Sequence, residues 1–400
     1  MKFIEKVKQL KINQIDYYKE DVGIAFKNDG SLYFAKSIER DQWICIARKP
    51  TKAGFGGIDG CKIYFSVFPD GYLGQVTNNL LDTEKKEVIQ FNIEIPFKGK
   101  IRSAQLLKRN LFQISTEFVN NEFRSIIFNH LTGNWKLLDE DDGTGLRFIH
   151  DIRLFYPLGG KQCLLIAYDL NTFEPLWKTS LELYCRYKEN LNEFVYNPGR
   201  LSDFIGLFGN ELILLVTNQI LLAVDITTGV VTWNSEPLTN YFPSFGYKFN
   251  AETQHYSFLE SPNKQYNIQA IKEAGTLIHT PLWLSSFMVA DTDSGYIYAV
   301  VEHYILEMNV ATKSMTVTEI ASLLPIPKVR EFYKIYFSKG LLYISLSVYP
   351  IMPTIITVYN PKTKQFVFIH EFKDSVIDVL FFGNNFYVVG SYGDLYEFER

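Results

Sequence analysis

The chain reads as all-β, assembled from repeated four-stranded sheets. Three observations predict this: a composition rich in aromatic rings, a polar turn cassette that recurs along the chain, and short apolar runs bounded by turn residues. Aromatics make up 16% of the 400 residues, with 32 Phe and 25 Tyr, and such side chains pack best on pleated, half-buried surfaces. Hydrophobic residues reach 47%, which supplies an ample core.

The cassette is plainest in ILLAVDITTGVVTWNSEP, Ile220 to Pro237. An alternating apolar run ends at Asp225, a Thr-Thr-Gly turn follows, and a β-branched pair leads to Trp233. The acid can hydrogen-bond backbone groups two residues on, and Gly229 accepts the positive φ of a tight hairpin. Thr228 adds a local hydroxyl bond, and Trp233 offers a flat side chain to pack between neighbouring sheets. In LLIAYDLNTFEPLWKTSLE the same frame returns as Ala167, Asp169, Thr172 and Trp177, matching Ala223, Asp225, Thr228 and Trp233, with Phe173 standing where Gly229 does. Weaker copies centre on Asn129, Asn309 and Asn360, and a further one on Asp82 has its Thr out of register.

The anchors at positions 82, 129, 169, 225, 309 and 360 are spaced as four strands of ~5–6 residues with short loops would require. Leu201 to Trp233 shows a whole unit as LSDFIGLFG, ELILLVT, QILLAVD and VVTWN, and Val329 onward repeats it. One gap, between 225 and 309, is nearly double. It reads as an insertion at 238–280 or as the remnant of an eighth unit, and the single evident hairpin, HYSFLESPNKQYNIQAIKE, favours the insertion.

At these residues the chain resembles the quinoprotein-type, PQQ-like β-propeller repeat family, whose signature is an Ala-x-Asp-x-x-Thr-Gly-x-x-x-Trp run on the outer hairpin of each blade. Ala223 to Trp233 fits every signature position and Ala167 to Trp177 all but one. The resemblance implies a single β-propeller over 1–400, with about seven four-stranded blades, or eight if the gap conceals one. After the Asn360 unit, which ends with QFVFIHEF, only three further strands remain before Arg400, SVIDVLFFG, NNFYVVGS and GDLYEFER. A strand from the N-terminal segment, 1–20, is therefore expected to complete that last sheet, from residues within Leu10 to Tyr18, because an unpaired edge invites aggregation. Phe3, Ile4, Val7 and Leu10 fall at helical intervals and predict a short capping helix before it.

Forty basic against forty-four acidic residues leave a formal charge of −4, so no global field draws the chain to nucleic acid or anionic lipid. The start of the sequence is interrupted by Lys2, Lys6, Lys8 and Lys11 and lacks the apolar core of a secretory signal; a cytoplasmic location is the expectation. Cys45, Cys61, Cys163 and Cys185 show no CxxC pair and read as reduced, buried thiols. The resemblance implies that enzymes of the family carry a redox cofactor on the propeller axis, with a metal and an acid base; this sequence shows no adjacent cysteine pair and no export signal, and no cofactor or metal is expected.

The six histidines have no HExxH or His-x-His spacing. Asp139, Glu140, Asp141 and Asp142 form the densest acid run. Leu138 occupies the first ligand place of a calcium loop, so the run reads as a solvated turn or a partner-binding loop. Asp291 to Gly295 reads the same way. Lys52 to Gly60, KAGFGGIDG, misses dinucleotide and phosphate-loop spacing and reads as a surface loop.

The function expected is a non-enzymatic scaffold that binds another protein through loops held on rigid blades, the partner being by analogy a bacterial toxin or a secretion component, and the chain monomeric on its own. The alternative is an enzyme or small-ligand receptor with a site at the central channel, assembled from residues distant in sequence.

Overall fold

The structure, a computed structural model, describes residues 1–20, 22–38, 43–49, 52–68, 76–90, 99–108, 110–118, 123–137, 148–151, 153–158, 164–185, 188–189, 201–216, 220–236, 238–241, 247–250, 255–258, 288–301, 304–320, 323–324, 331–347 and 354–400. It divides into two compact units, one of residues 1–140, 171–173 and 374–400, the other of 141–170 and 174–373.

In the first unit β1 (Lys2–Lys11) opens the chain. A sheet follows of β2 (Gln14–Lys19), β3 (Gly23–Asn28), β4 (Ser31–Ala35) and β5 (Trp43–Ala47). The next comprises β6 (Lys52–Asp59), β7 (Lys62–Phe68), β8 (Thr77–Asp82) and β9 (Glu87–Gln90), and a third β10 (Gly99–Lys108), β11 (Leu111–Phe118), β12 (Phe123–Asn129) and β13 (Trp135–Leu137). Each is an antiparallel meander in chain order.

The second unit holds β14 (Phe148–His150), β15 (Arg153–Leu158), β16 (Leu164–Asp169) and β17 (Pro175–Ser180), then the one-turn α1 (Glu182–Cys185) and the short β18 (Lys188–Glu189). Next come β19 (Leu201–Phe208), β20 (Glu211–Val216), β21 (Leu221–Asp225) and β22 (Val231–Asn234), matching the four strands read from Leu201 to Trp233. A hairpin of β23 (Tyr247–Asn250) and β24 (His255–Phe258) takes β18 as a third, parallel strand. It lies upstream of most of the expected hairpin sequence, whose remainder falls outside the described residues. Two more meanders complete the unit: β25 (Met288–Asp291), β26 (Tyr296–Val301), β27 (Tyr304–Asn309) and β28 (Met315–Glu319), then β29 (Glu331–Ser338), β30 (Leu341–Ser347), β31 (Ile355–Asn360) and β32 (Gln365–Glu371).

The chain returns to the first unit as β33 (Val376–Phe382), β34 (Asn385–Gly390) and β35 (Asp394–Glu399), and β1 completes that sheet in the order β1–β35–β34–β33. First and last strands thus share one sheet. The latch is β1 itself, however, and not the expected Leu10 to Tyr18, most of which lies in β2. The capping helix predicted over the same residues is also corrected to strand. A ten-residue helix is marginal by itself, whereas the open edge of β35 offers a ladder from Lys2 opposite Glu399 to Lys11 opposite Asp394. Phe3 packs on Phe398 with ring centroids 5.2 Å apart, and the Lys6 ammonium reaches the Asp394 carboxylate at 2.6 Å.

Among the described residues the strands form eight four-stranded sheets and one of three strands, at the upper end of the expected seven to eight. Besides the closing sheet, the sheet without a sequence anchor is β2–β5, whose β4–β5 connection carries no Asp-Thr-Gly cassette. Within each unit the core lies between successive sheets. Phe26 and Ile24 pack with Leu380 and Leu395, Phe34 and Ala25 with Ile63 and Phe65, Leu212 and Val224 with Leu165 and Ala167. This follows from period-2 patterning in which both faces of the middle strands are apolar, as in Glu211–Val216, where every residue after Glu211 is buried.

The glycine-rich Lys52 to Gly60, expected as a surface loop, is strand β6 and its turn. A bulge separates Phe55 from Gly57. A Cβ on Gly57, at φ 139°, would sit 2.7 Å from that of Leu106, and one on Gly56 3.1 Å from the Ala104 carbonyl oxygen. Glycine here admits the backbone of β10 rather than loosening a loop. Cys45 and Cys61 are free but half-buried, not buried as expected.

Candidate functional site

The outer hairpins at Asp82, Asn129, Asp225, Asn309 and Asn360 are built the same way. Asp82 Oδ1 accepts the backbone N–H groups of Glu84 and Lys85, each at 3.0 Å. Asn129 Oδ1 accepts from Leu131 and Thr132, and Asp225 Oδ1 from Thr227 at 2.9 Å and Thr228 at 2.7 Å. Asn309 and Asn360 repeat the arrangement with Thr312, Lys362 and Thr363. Four residues beyond each anchor the backbone is left-handed, at Lys86, Gly133, Phe173, Gly229, Lys313 and Lys364, with φ of 57°, 72°, 59°, 75°, 58° and 57°. The side-chain oxygen replaces backbone partners that the tight turn cannot supply. The copy at Asp82 forms the turn even though its Thr is out of register.

These contacts favour the charged carboxylate. The Thr228 backbone N–H, then its hydroxyl, hold Asp225 below the ordinary carboxylate range, and the Lys85 N–H does the same for Asp82. Asp291 is likewise occupied locally, accepting from the Ser294 N–H at 3.2 Å and from its hydroxyl, with Gly295 at φ 76°. Its carboxylate serves the turn.

The tryptophans grip the neighbouring sheet. Ala167 pairs across the strands with Trp177 and Ala223 with Trp233. Trp177 Nε1 donates to the Ile226 carbonyl at 3.1 Å, and Thr179 Oγ1 donates to that of Gly229. The indole lies so close over the next turn that a Cβ on Gly229 would stand 2.5 Å from Trp177 Cε3. One step on, the Lys313 ammonium lies 5.5 Å from the centre of the Trp233 ring and pairs with Glu211. The predicted residues Ala167, Asp169, Thr172, Trp177, Ala223, Asp225, Thr228, Gly229 and Trp233 thus lie on outer hairpins, where the contacts described are structural.

Asp139, Glu140, Asp141 and Asp142 lie outside the described residues, as do Cys163, His279 and His303. His130 is exposed and His150 half-buried. Burial pushes His370 below the usual imidazole range, with its ring 4.6 Å from that of Phe372. Among the described residues no group of three His, Cys, Asp or Glu is arranged to hold a metal ion, and no helix is long and apolar enough to cross a membrane.

Two acids that sequence reasoning passed over are set in inner strands. Desolvation raises Asp203, on β19, and Asp16, on β2, where Lys27 at 3.6 Å and Gln14 at 2.6 Å offset part of the effect. Large apolar side chains are exposed on or beside the outer hairpins: Val88, Ile89, Leu131, Trp135, Leu176, Val230 and Val367, with Leu131 the extreme at 74%. All four residues of β9 are exposed.

Successive four-stranded antiparallel meanders, with the first and last strands sharing one sheet, define a β-propeller. Comparison with solved structures agrees with that class across the whole chain. The chain is similar to BamB from Moraxella catarrhalis at 10% identity and a TM-score of 0.52, covering 100% of this chain and 99% of that one. It is similar to Sqt1 from Saccharomyces cerevisiae at 12% and 0.52, covering 100% and 98%, and to the C-terminal WD40 domain of Sif2 at 11% and 0.50, covering 100% and 99%. No family model and no curated protein matches the sequence.

Proposed function

We propose that the chain is a non-enzymatic protein-binding scaffold. The observation that carries this reading is the repeated display of large apolar side chains on its outer hairpins. Ile89, Leu176 and Val367 each stand seven residues beyond a cassette anchor and each is exposed. Rigid sheets hold these positions, and exposed apolar side chains on a rigid frame are the elements from which protein contacts are made. The likeness to WD40 and BamB propellers is consistent with such a role. On this reading residues 1–400 are one recognition domain, and the partner is a bacterial toxin or secretion component, a choice made by analogy alone. The alternative, an enzyme or small-ligand receptor with a site at the central channel, draws on Asp203 of β19, whose carboxyl is raised by desolvation.

Affinity capture from the native host tests the reading. The intact chain should retain a defined protein partner. A variant carrying Leu131→Lys, Leu176→Lys and Val367→Lys should lose it at least tenfold, the effect of about 1.4 kcal/mol, while melting as the parent does. Capture unaffected by these changes would remove the hairpins from the interface; recovery of no partner, together with turnover by the purified chain, would overturn the scaffold reading.

A further inference from the structure

Among the described residues the core between the β25–β28 and β29–β32 sheets is largely apolar. Tyr298 and Ile305 of the first sheet pack with Leu342, Ile344, Ile355 and Tyr359 of the second. Glu307 is the direct cross-strand partner of Tyr298, so the two share the face that meets the second sheet. Thr357 lies between Ile355 and Tyr359 on β31, two residues from each, and is the cross-strand partner of Ile344, which places it on the opposing face. The carboxylate of Glu307 and the phenols of Tyr298 and Tyr359 therefore meet inside an otherwise greasy wedge, with the Thr357 hydroxyl on the same face as Tyr359.

The hydrogen bonding of that group is incomplete. Glu307 is 8% exposed, and its Oε2 takes the ammonium of Lys364, which reaches over from the left-handed position of the β31–β32 turn. Among the described residues its Oε1 has no partner, nor do Tyr359 Oη and Thr357 Oγ1, and both of these residues are fully buried. A buried polar atom left without a partner costs about 1–3 kcal/mol, and native folds satisfy such atoms with ordered water when protein cannot reach them. We propose that this interface contains an internal binding site for a water molecule, held by Glu307 Oε1, Thr357 Oγ1 and Tyr359 Oη and covered by the Lys364–Glu307 ion pair.

The three groups suit one water. Tyr359 is held protonated by burial and by the Glu307 charge, which raise it to about 12, so its hydroxyl can donate to the water oxygen. The water's two hydrogens then go to the carboxylate Oε1 and to Thr357 Oγ1, giving it about three bonds, as internal waters typically make. A divalent cation fits this site poorly, because Lys364 already neutralises the one carboxylate and the phenols stay neutral. The ligand is a small neutral hydrogen-bonding molecule, and its role is to fix the pairing of two sheets whose remaining contacts are non-directional.

A high-resolution crystal structure of the intact chain tests this. It should show an ordered solvent peak within hydrogen-bonding distance of Glu307 Oε1, Thr357 Oγ1 and Tyr359 Oη. Thr357→Val, which keeps shape, and Tyr359→Phe should each abolish the peak and lower the melting midpoint on the order of 2 °C. The double variant should melt close to either single one, because the second change removes an interaction the first has already broken. A dry interface with direct bonds among these side chains, or additive effects of the two substitutions, would overturn the proposal. If Tyr359→Phe fails to fold, the peak and melting of Thr357→Val decide alone.

Discussion

At the scale of single residues, the turn anchors and their left-handed positions decide where each outer hairpin bends. Gly133 and Gly229 have nearly the same φ, 72° and 75°, but nothing lies within 4 Å of a Cβ at Gly133, whereas Trp177 and Thr179 crowd Gly229. Gly133→Ala should therefore cost about 1 kcal/mol from backbone strain alone, and Gly229→Ala about 2–4 kcal/mol from strain plus overpacking, as read by urea denaturation. Asp225 carries a pH signature. Its folded-state pKa is depressed, so its contribution is complete above the unfolded value of about 3.9 and is lost as pH falls through the folded value. Asp225→Asn keeps the acceptor that Asn129 and Asn360 use in the same turn, and should flatten the loss of stability below about pH 4 in a denaturation series from pH 7 to pH 3. The roles of Asp225, Thr228 and Gly229 were legible in the sequence because turn chemistry is local. The second tight position was less so: Phe173 adopts φ 59° while buried, where the sequence frame calls for glycine.

At the scale of elements, side-chain periodicity competes with what an element finds to pair with. Residues 2–11 have helical spacing and form a strand, and KAGFGGIDG has loop composition and forms a strand, because in each case a neighbouring edge or sheet offers backbone partners. By contrast β19–β22 follow their apolar runs closely, since each run is bounded by its own turn residues. Trp177 joins one sheet to the next both by area and by its bond to Ile226. Trp177→Phe should cost about 1 kcal/mol, the value of the lost hydrogen bond, and Trp177→Ala about 3 kcal/mol, again by equilibrium denaturation. Equal costs for the two would mean that the indole N–H contributes nothing. The missing anchor for β2–β5 has the same explanation in reverse: its outer hairpin packs Trp43 against Phe26 and Tyr33 and donates its N–H to the Ile38 carbonyl, without the acid-threonine turn that made the other sheets recognisable.

At the scale of the whole molecule, closure depends on a pairing between the two ends of the chain. β1 covers the edge of β35, and the contact is reinforced where Tyr18 Oη meets the backbone of Phe381 and the Arg400 guanidinium meets Glu20 at 3.0 Å. Deleting residues 1–11 should expose the β35 edge, lower the melting midpoint and produce concentration-dependent association in light scattering; a variant that stayed monodisperse and melted unchanged would show that the strand closes nothing. The sequence by itself determined that the chain is all-β, repeats a four-stranded unit and turns on Asx-Thr-Gly hairpins, because these depend on side-chain alternation and on bonds spanning two to four residues. Tertiary structure decided that the latch is Lys2–Lys11, that Gln14–Ala47 is a sheet of its own, and that Glu307 and Tyr359 meet inside a wedge between sheets. Those outcomes depend on which edges and faces come together across long stretches of chain, and the free energy of such meetings belongs to pairs of elements that no local window of sequence contains.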